Sequence, residues 1–164
     1  GRRSRCRSGD SGKLADVAVW RLDGLDHAGI ADPVAALVLG RLPTLARLLL
    51  PEIHALIDAK DKDYFRHSRE KRFGPLEDLP ALHEEQLAAL RASLLPLRQT
   101  LARQPYLAGQ QPAYADYAVF GFFMWARCTS ARELLAADDP VAGWRERLLD
   151  AHGGLARAAR LPAA

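Results

Sequence analysis

Few residues in this chain combine reactive chemistry with a useful spacing, and each can be weighed against its neighbours. His54 and Asp58 lie four apart, a separation that on a helix lets a carboxylate orient an imidazole for proton transfer. No nucleophile accompanies them, and no two histidines have the HExxH spacing of a zinc site. His54 therefore reads as a structural, hydrogen-bonded histidine, and no metal site is expected. Cys128 stands beside Arg127, whose charge would favour a thiolate. Adjacent helical residues do not share a face, however, so Cys128 reads as a small buried hydrophobe. Arg66, Arg69, Lys71 and Arg72 form a basic run, but Asp61, Asp63 and Glu70 interleave with it and no stacking aromatics accompany it. That pattern is a solvated helix face.

The charge balance points the same way. The formal charge of +3 sits in residues 1–12, where Arg2, Arg3, Arg5 and Arg7 face only Asp10. The remainder is neutral, so the basic tail could hold a polyanion only weakly, and no nucleic-acid partner is expected. Cys6 and Cys128 have no paired spacing, which implies neither a disulfide nor a metal framework and fits a cytoplasmic protein. The longest uncharged apolar run lies between Asp116 and Arg127, short of the roughly 20 residues that span a bilayer. No membrane segment or signal peptide is expected. Because the sequence opens on Gly1 and Met124 is its only methionine, further sequence upstream is expected.

These residues must be positioned by helices. With 164 residues, 49% hydrophobic and 26% charged, the chain suits one globular domain. Residues 1–12 are a disordered basic tail by composition, and residues 13–30, broken by Gly24 and Gly29, read as a short irregular helix or a linker. A helical domain is expected over residues 31–160. Asp32–Pro33 is a helix start, and Leu45, Leu48, Leu49, Ile53, Leu56 and Ile57 follow on the helical period, with breaks or kinks at Pro43 and Pro51. Residues 61–73 form a charged helix closed by Gly74 and Pro75. Leu87, Leu90, Leu94, Leu97 and Leu101 make one seam over residues 76–104, bent at Pro96. A fourth helix is expected over 113–135, apolar all round between Tyr117 and Ala126 and hence central, with two shorter helices near 140–151 and 153–160. No alternating run bounded by hairpin turns occurs, so no sheet is expected. Consecutive apolar residues at 35–39 and 48–50 exceed one amphipathic stripe, so part of residues 34–50 should face outward.

Residues 109–125, GQQPAYADYAVFGFFMW, resemble the central helix of the glutathione S-transferase C-terminal domain, in which a capping box opens the helix. Asp116 holds the N3 position of the box, but the cap is Ala113, which offers no side-chain acceptor. Residues 60–74, KDKDYFRHSREKRFG, and an LxPxRxxL motif starting at Leu94 are similar to the branch of the family that includes bacterial lignin β-etherases and related fungal transferases. The resemblance covers roughly residues 36–150.

It implies an all-α, glutathione-transferase C-terminal-like helical bundle. In the family a separate N-terminal thioredoxin-like domain binds glutathione and activates its thiol, and that domain is expected to be absent from this chain. The helical half supplies the apolar wall of the second-substrate pocket and part of a homodimer interface. On that analogy Leu37, Arg41, Leu42, Tyr117 and Trp125 would line the pocket for a small apolar or aromatic electrophile, with Phe120 and Met124 near them, while Ala113 and Asp116 are structural. Glutathione would be co-substrate of the full-length protein and not a ligand of this chain alone, which carries no catalytic residue of its own. The alternative from another class is a non-catalytic helical module that binds an apolar ligand or a partner protein.

Overall fold

The computed structural model describes residues 32–162, so the readings made for residues 1–30, including Cys6, lie outside the described part. Seven α-helices are described: α1 Pro33–Leu39, α2 Leu42–Leu56, α3 Ala59–Phe73, α4 His83–Ser93, α5 Leu95–Leu101, α6 Tyr114–Thr129 and α7 Pro140–Gly154, with a 3-10 turn at Leu79–Leu82. Among the described residues there is no strand, only an isolated bridge between Tyr106 and Gly109. The fold class is all-α.

Local chemistry accounts for the helix starts. The Asp32 carboxylate accepts from the amides of Val34 (2.8 Å) and Ala35 (2.9 Å), satisfying two free donors of α1 ahead of Pro33. Asp139 repeats the device before Pro140, accepting from the Val141 amide at 3.0 Å. Gly74 ends α3 at φ +85°, in the left-handed region that glycine enters without a Cβ clash.

The core lies where α2 and α6 meet their neighbours. Helix α2 packs on α3, α4 and α6, and α6 also packs on α1 and α7. Leu50 on α2 joins Phe65, Leu76 and Leu79 in one buried cluster, while Leu45, Leu48 and Leu49 are also buried. The run 48–50 is thus buried on several sides, and the expected outward surface reduces to α1, where Ala36 and Leu37 are exposed. Residues Pro33–Leu56 are long and apolar enough to cross a membrane by length and composition. The chain turns at Gly40 and Arg41 within that stretch, and the buried leucines of α2 serve the core.

Several expected boundaries move. Pro43 sits in the first turn of α2, while Pro51 lies inside a helix that continues to Leu56. The charged helix starts at Ala59 rather than 61. The seam over residues 76–104 is three elements, because Leu94 (φ −81°, ψ 1°) separates α4 from α5 and Pro96 lies in the opening turn of α5. Leu87, Leu90, Leu94 and Leu97 are buried as one seam all the same. Helix α6 stops at Thr129, since Ser130 turns to extended backbone and its hydroxyl accepts from the Arg132 amide at 3.0 Å. The last expected helix is a turn over residues 155–158, after Ala151, His152 and Gly153 leave helical geometry.

Candidate functional site

Helix α6 is set in place by one buried carboxylate. Asp116 is fully buried, and its Oδ1 accepts from the Leu107 amide (2.7 Å) and the Trp144 indole Nε1–H (2.9 Å). Its Oδ2 accepts from the amides of Ala108 and Ala113, both at 3.2 Å. Only the carboxylate half of a capping box is present, since Ala113 makes no side-chain cap. Four N–H donors and the positive end of the α6 dipole stabilise the buried oxygens in place of water. The carboxylate joins the preceding loop, the start of α6 and the centre of α7. The loop itself is closed by mutual backbone bonds between Tyr106 and Gly109 (3.1 Å each) and by the Gln104 amide on the carbonyls of Tyr106 and Leu107 (2.8 Å each). Trp144, 0% exposed, meets Phe120 and Phe123 edge to face with ring centroids 6.4 and 6.0 Å apart.

Fixing α6 this way buries one side of it: Val119, Phe120, Phe122, Phe123 and Ala126. The all-round burial expected for Tyr117 to Ala126 does not occur. Tyr117, Ala118, Met124 and Trp125 are half-buried and Gly121 is exposed, because α1, α2 and α7 cover only part of the helix. Tyr114, one turn earlier, is 61% exposed. Leu37 (51% exposed) lies on α1, exposed Arg41 in the turn after it and half-buried Leu42 at the start of α2. Both helices pack on α6. The five residues assigned to a pocket from the resemblance thus belong to one group of adjoining helices, although none of them lines the concavity around the C-terminal half of α6 or the one beside Val34 and Pro96. The Tyr117 hydroxyl shares a hydrogen bond of 2.8 Å with His152 Nε2, at the break in α7 where His152 takes φ +52°.

The other candidates separate. Helix α2 ends before Asp58, which is exposed, so His54 and Asp58 share no helix face. Among the described residues His54 finds no side-chain hydrogen-bond partner, and it lies against the Phe65 ring, centroids 6.1 Å apart. Cys128 is exposed rather than buried, because it falls on the uncovered side of α6. In the basic run, Arg66 pairs with Glu70 (3.1 Å) and Glu77 (2.9 Å), while Arg69 and Arg72 cover the rings of Phe65 and Phe73.

One structural pair escaped the sequence reading. Arg98 on α5 grips Asp139 with Nε at 3.2 and 3.0 Å and Nη2 at 2.7 Å, joining α5 to the start of α7. Burial works against the Asp139 carboxylate, but the Arg98 guanidinium and the Val141 amide outweigh it and hold its pKa below the usual value. The Asp-Pro step at 139–140, matching that at 32–33, was the available signal.

A helical bundle whose central helix opens on a buried aspartate can be compared with known proteins. The profile of the family described as "Glutathione S-transferase, C-terminal domain" matches residues 36–152. The chain belongs to the glutathione S-transferase C-terminal domain family. A glutathione S-transferase-like protein, ustS, of Aspergillus flavus is 30% identical over 116 aligned residues, which take in 60% of this chain and 42% of that protein. The chain therefore spans less than half the length of that curated relative. Within the glutathione S-transferase match lie all of α2 to α6, Asp116 with each of its four donors, and Leu37, Arg41, Leu42, Tyr117 and Trp125.

Proposed function

We propose that this chain is the substrate-side domain of a cytoplasmic glutathione S-transferase-like enzyme. The face made by Leu37, Arg41 and Leu42 beside Tyr117 and Trp125 is the apolar wall against which a small apolar or aromatic electrophile rests. Glutathione is the co-substrate, gripped and activated by a thioredoxin-like domain outside these 164 residues, so the chain alone is inactive. Its thiolate attacks the carbon bearing the leaving group, a C–S bond forms as the bond to oxygen or halogen breaks, and the phenolate or halide leaves with the electron pair. The helical half contributes orientation and the exclusion of water. Residues 60–74 and the motif from Leu94 to Leu101 favour aryl ethers as the electrophile, in the manner of the β-etherase-like branch.

The observation that carries this reading is the incomplete burial of an apolar helix. Tyr117, Met124 and Trp125 leave the core partly uncovered while the opposite side of α6 is fully packed. A chain that covers only 42% of its relative leaves room for a further domain to complete that surface. An aryl alkyl ether titrated into the chain is expected to move the indole N–H resonance of Trp125 and leave that of buried Trp144 in place. Shifts confined to other residues would assign the face to a partner protein and favour the non-catalytic module.

A further inference from the structure

Helix α6 carries a recess on its uncovered side. Tyr117, Gly121 and Trp125 recur every fourth residue and so lie in one row along the helix. Tyr117 and Trp125 are half-buried, Gly121 is exposed, and a side chain at Gly121 would start in open space. The row runs for about 12 Å, with an aromatic side chain at each end and none between them, which leaves room for one substituted aromatic ring.

One end of the row carries a polar pair. The Tyr117 hydroxyl and His152 Nε2 are 2.8 Å apart, the ring centroids lie 5.7 Å apart, and the pair is open to solvent. His152 comes from the break in α7, where Ala151 is extended (ψ 155°) and His152, Gly153 and Gly154 have φ of +52°, +70° and +77°. Glycine enters that region without a Cβ clash, and His152 is the one non-glycine residue to do so among the described residues. A strained backbone persists where its surroundings hold it, and the His152 ring meets the phenol at the end of the recess. The hydrogen bond between them has two senses. With Nδ1 protonated, the phenol donates to Nε2 and its O–H is occupied. With Nε2 protonated, the imidazole donates to the phenol oxygen and leaves the O–H polarised and free for a third group. An ether oxygen can accept it, and a hydrocarbon cannot.

We propose that Tyr117 determines specificity for aryl ethers by donating its O–H to the ether oxygen, and that His152 is the positioning residue that turns this O–H toward it. The proposal rests on the reading of this face as the wall for the electrophile. As the C–S bond forms and the C–O bond breaks, the electron pair passes to that oxygen, and the same O–H stabilises the phenolate without giving up its proton. The test is a titration of the 15N-labelled 164-residue chain with anisole and with ethylbenzene, which differ by an oxygen in place of a methylene. Both probes should move the Trp125 indole N–H, and only anisole should move His152 Nε2 toward its protonated position. Anisole should bind about three- to tenfold more tightly. Tyr117→Phe should erase that ratio. His152→Gly, which relieves the positive φ and should keep or raise the unfolding midpoint, is expected to halve the ratio at least, whereas a merely structural His152 would lower the midpoint and leave the ratio alone. If Tyr117→Phe does not fold by circular dichroism, the His152 Nε2 response of the unaltered chain decides. Movement of Trp125 with equal affinities and an unmoved His152 would overturn this assignment alone. No movement of Trp125 with either probe would overturn the reading of the face itself.

Discussion

Asp116 and Asp139 do the most structural work per side chain, and both are open to direct measurement. Replacing Asp116 by Asn puts an NH2 group among donors from Leu107, Ala108, Ala113 and Trp144. A loss of about 2–4 kcal/mol in denaturant unfolding is expected, and Trp144→Phe, which keeps a ring but loses the indole bond, should cost less. A change below about 0.5 kcal/mol for Asp116→Asn would show that the carboxylate does not hold the junction. The same helix start has a vacant acceptor position: Ala113→Ser is expected to add about 0.5–2 kcal/mol, read as a raised unfolding midpoint.

Asp139 gives the pH dependence. Its folded pKa is depressed, so the unfolded chain, titrating near about 3.9, binds this proton more tightly. The stability it contributes is therefore present above about pH 4 and lost as pH falls through the folded value. Asp139→Asn should lower stability at pH 7 by about 1.5–3 kcal/mol and flatten the acid limb of the stability curve. An unchanged acid limb would contradict the Arg98 pairing.

At the scale of elements, hydrophobic period and capping chemistry made the helices legible, and tertiary context decided the rest. Asp32–Pro33 and the leucines at 45, 48 and 49 marked α1 and α2 because capping and the 3.6 period are local signals. The end of α6 was not legible, since Leu134 and Leu135 continue the apolar pattern and are buried, but from a loop whose carbonyls at Glu133 and Leu134 accept from Arg91. Asp116 was visible as a helix-start residue, yet its bond to Trp144 lies 28 residues away and no local pattern encodes it. The apolar pattern on every side between Tyr117 and Ala126 suggested complete burial, whereas the neighbours of α6 leave one side open. That side is a testable liability. With Leu37 and Tyr114 exposed to 51% and 61%, the chain is expected to bind a hydrophobic dye and to self-associate. Leu37→Glu should reduce both, and light scattering of a dye-free monomer at about 100 μM would mean that no interface is uncovered.

At the scale of the molecule, the chain is a helical domain of the glutathione S-transferase family and matches 42% of a curated relative. The proposed division of labour assigns the electrophile's apolar wall to this chain and the grip on glutathione to a domain outside it. Calorimetric titration of the 164-residue chain with glutathione tests that division most directly. No saturable heat corresponding to a Kd of about 1 mM or tighter is predicted. A Kd at or below about 1 mM would contradict it, because the helical chain would then hold the tripeptide by itself.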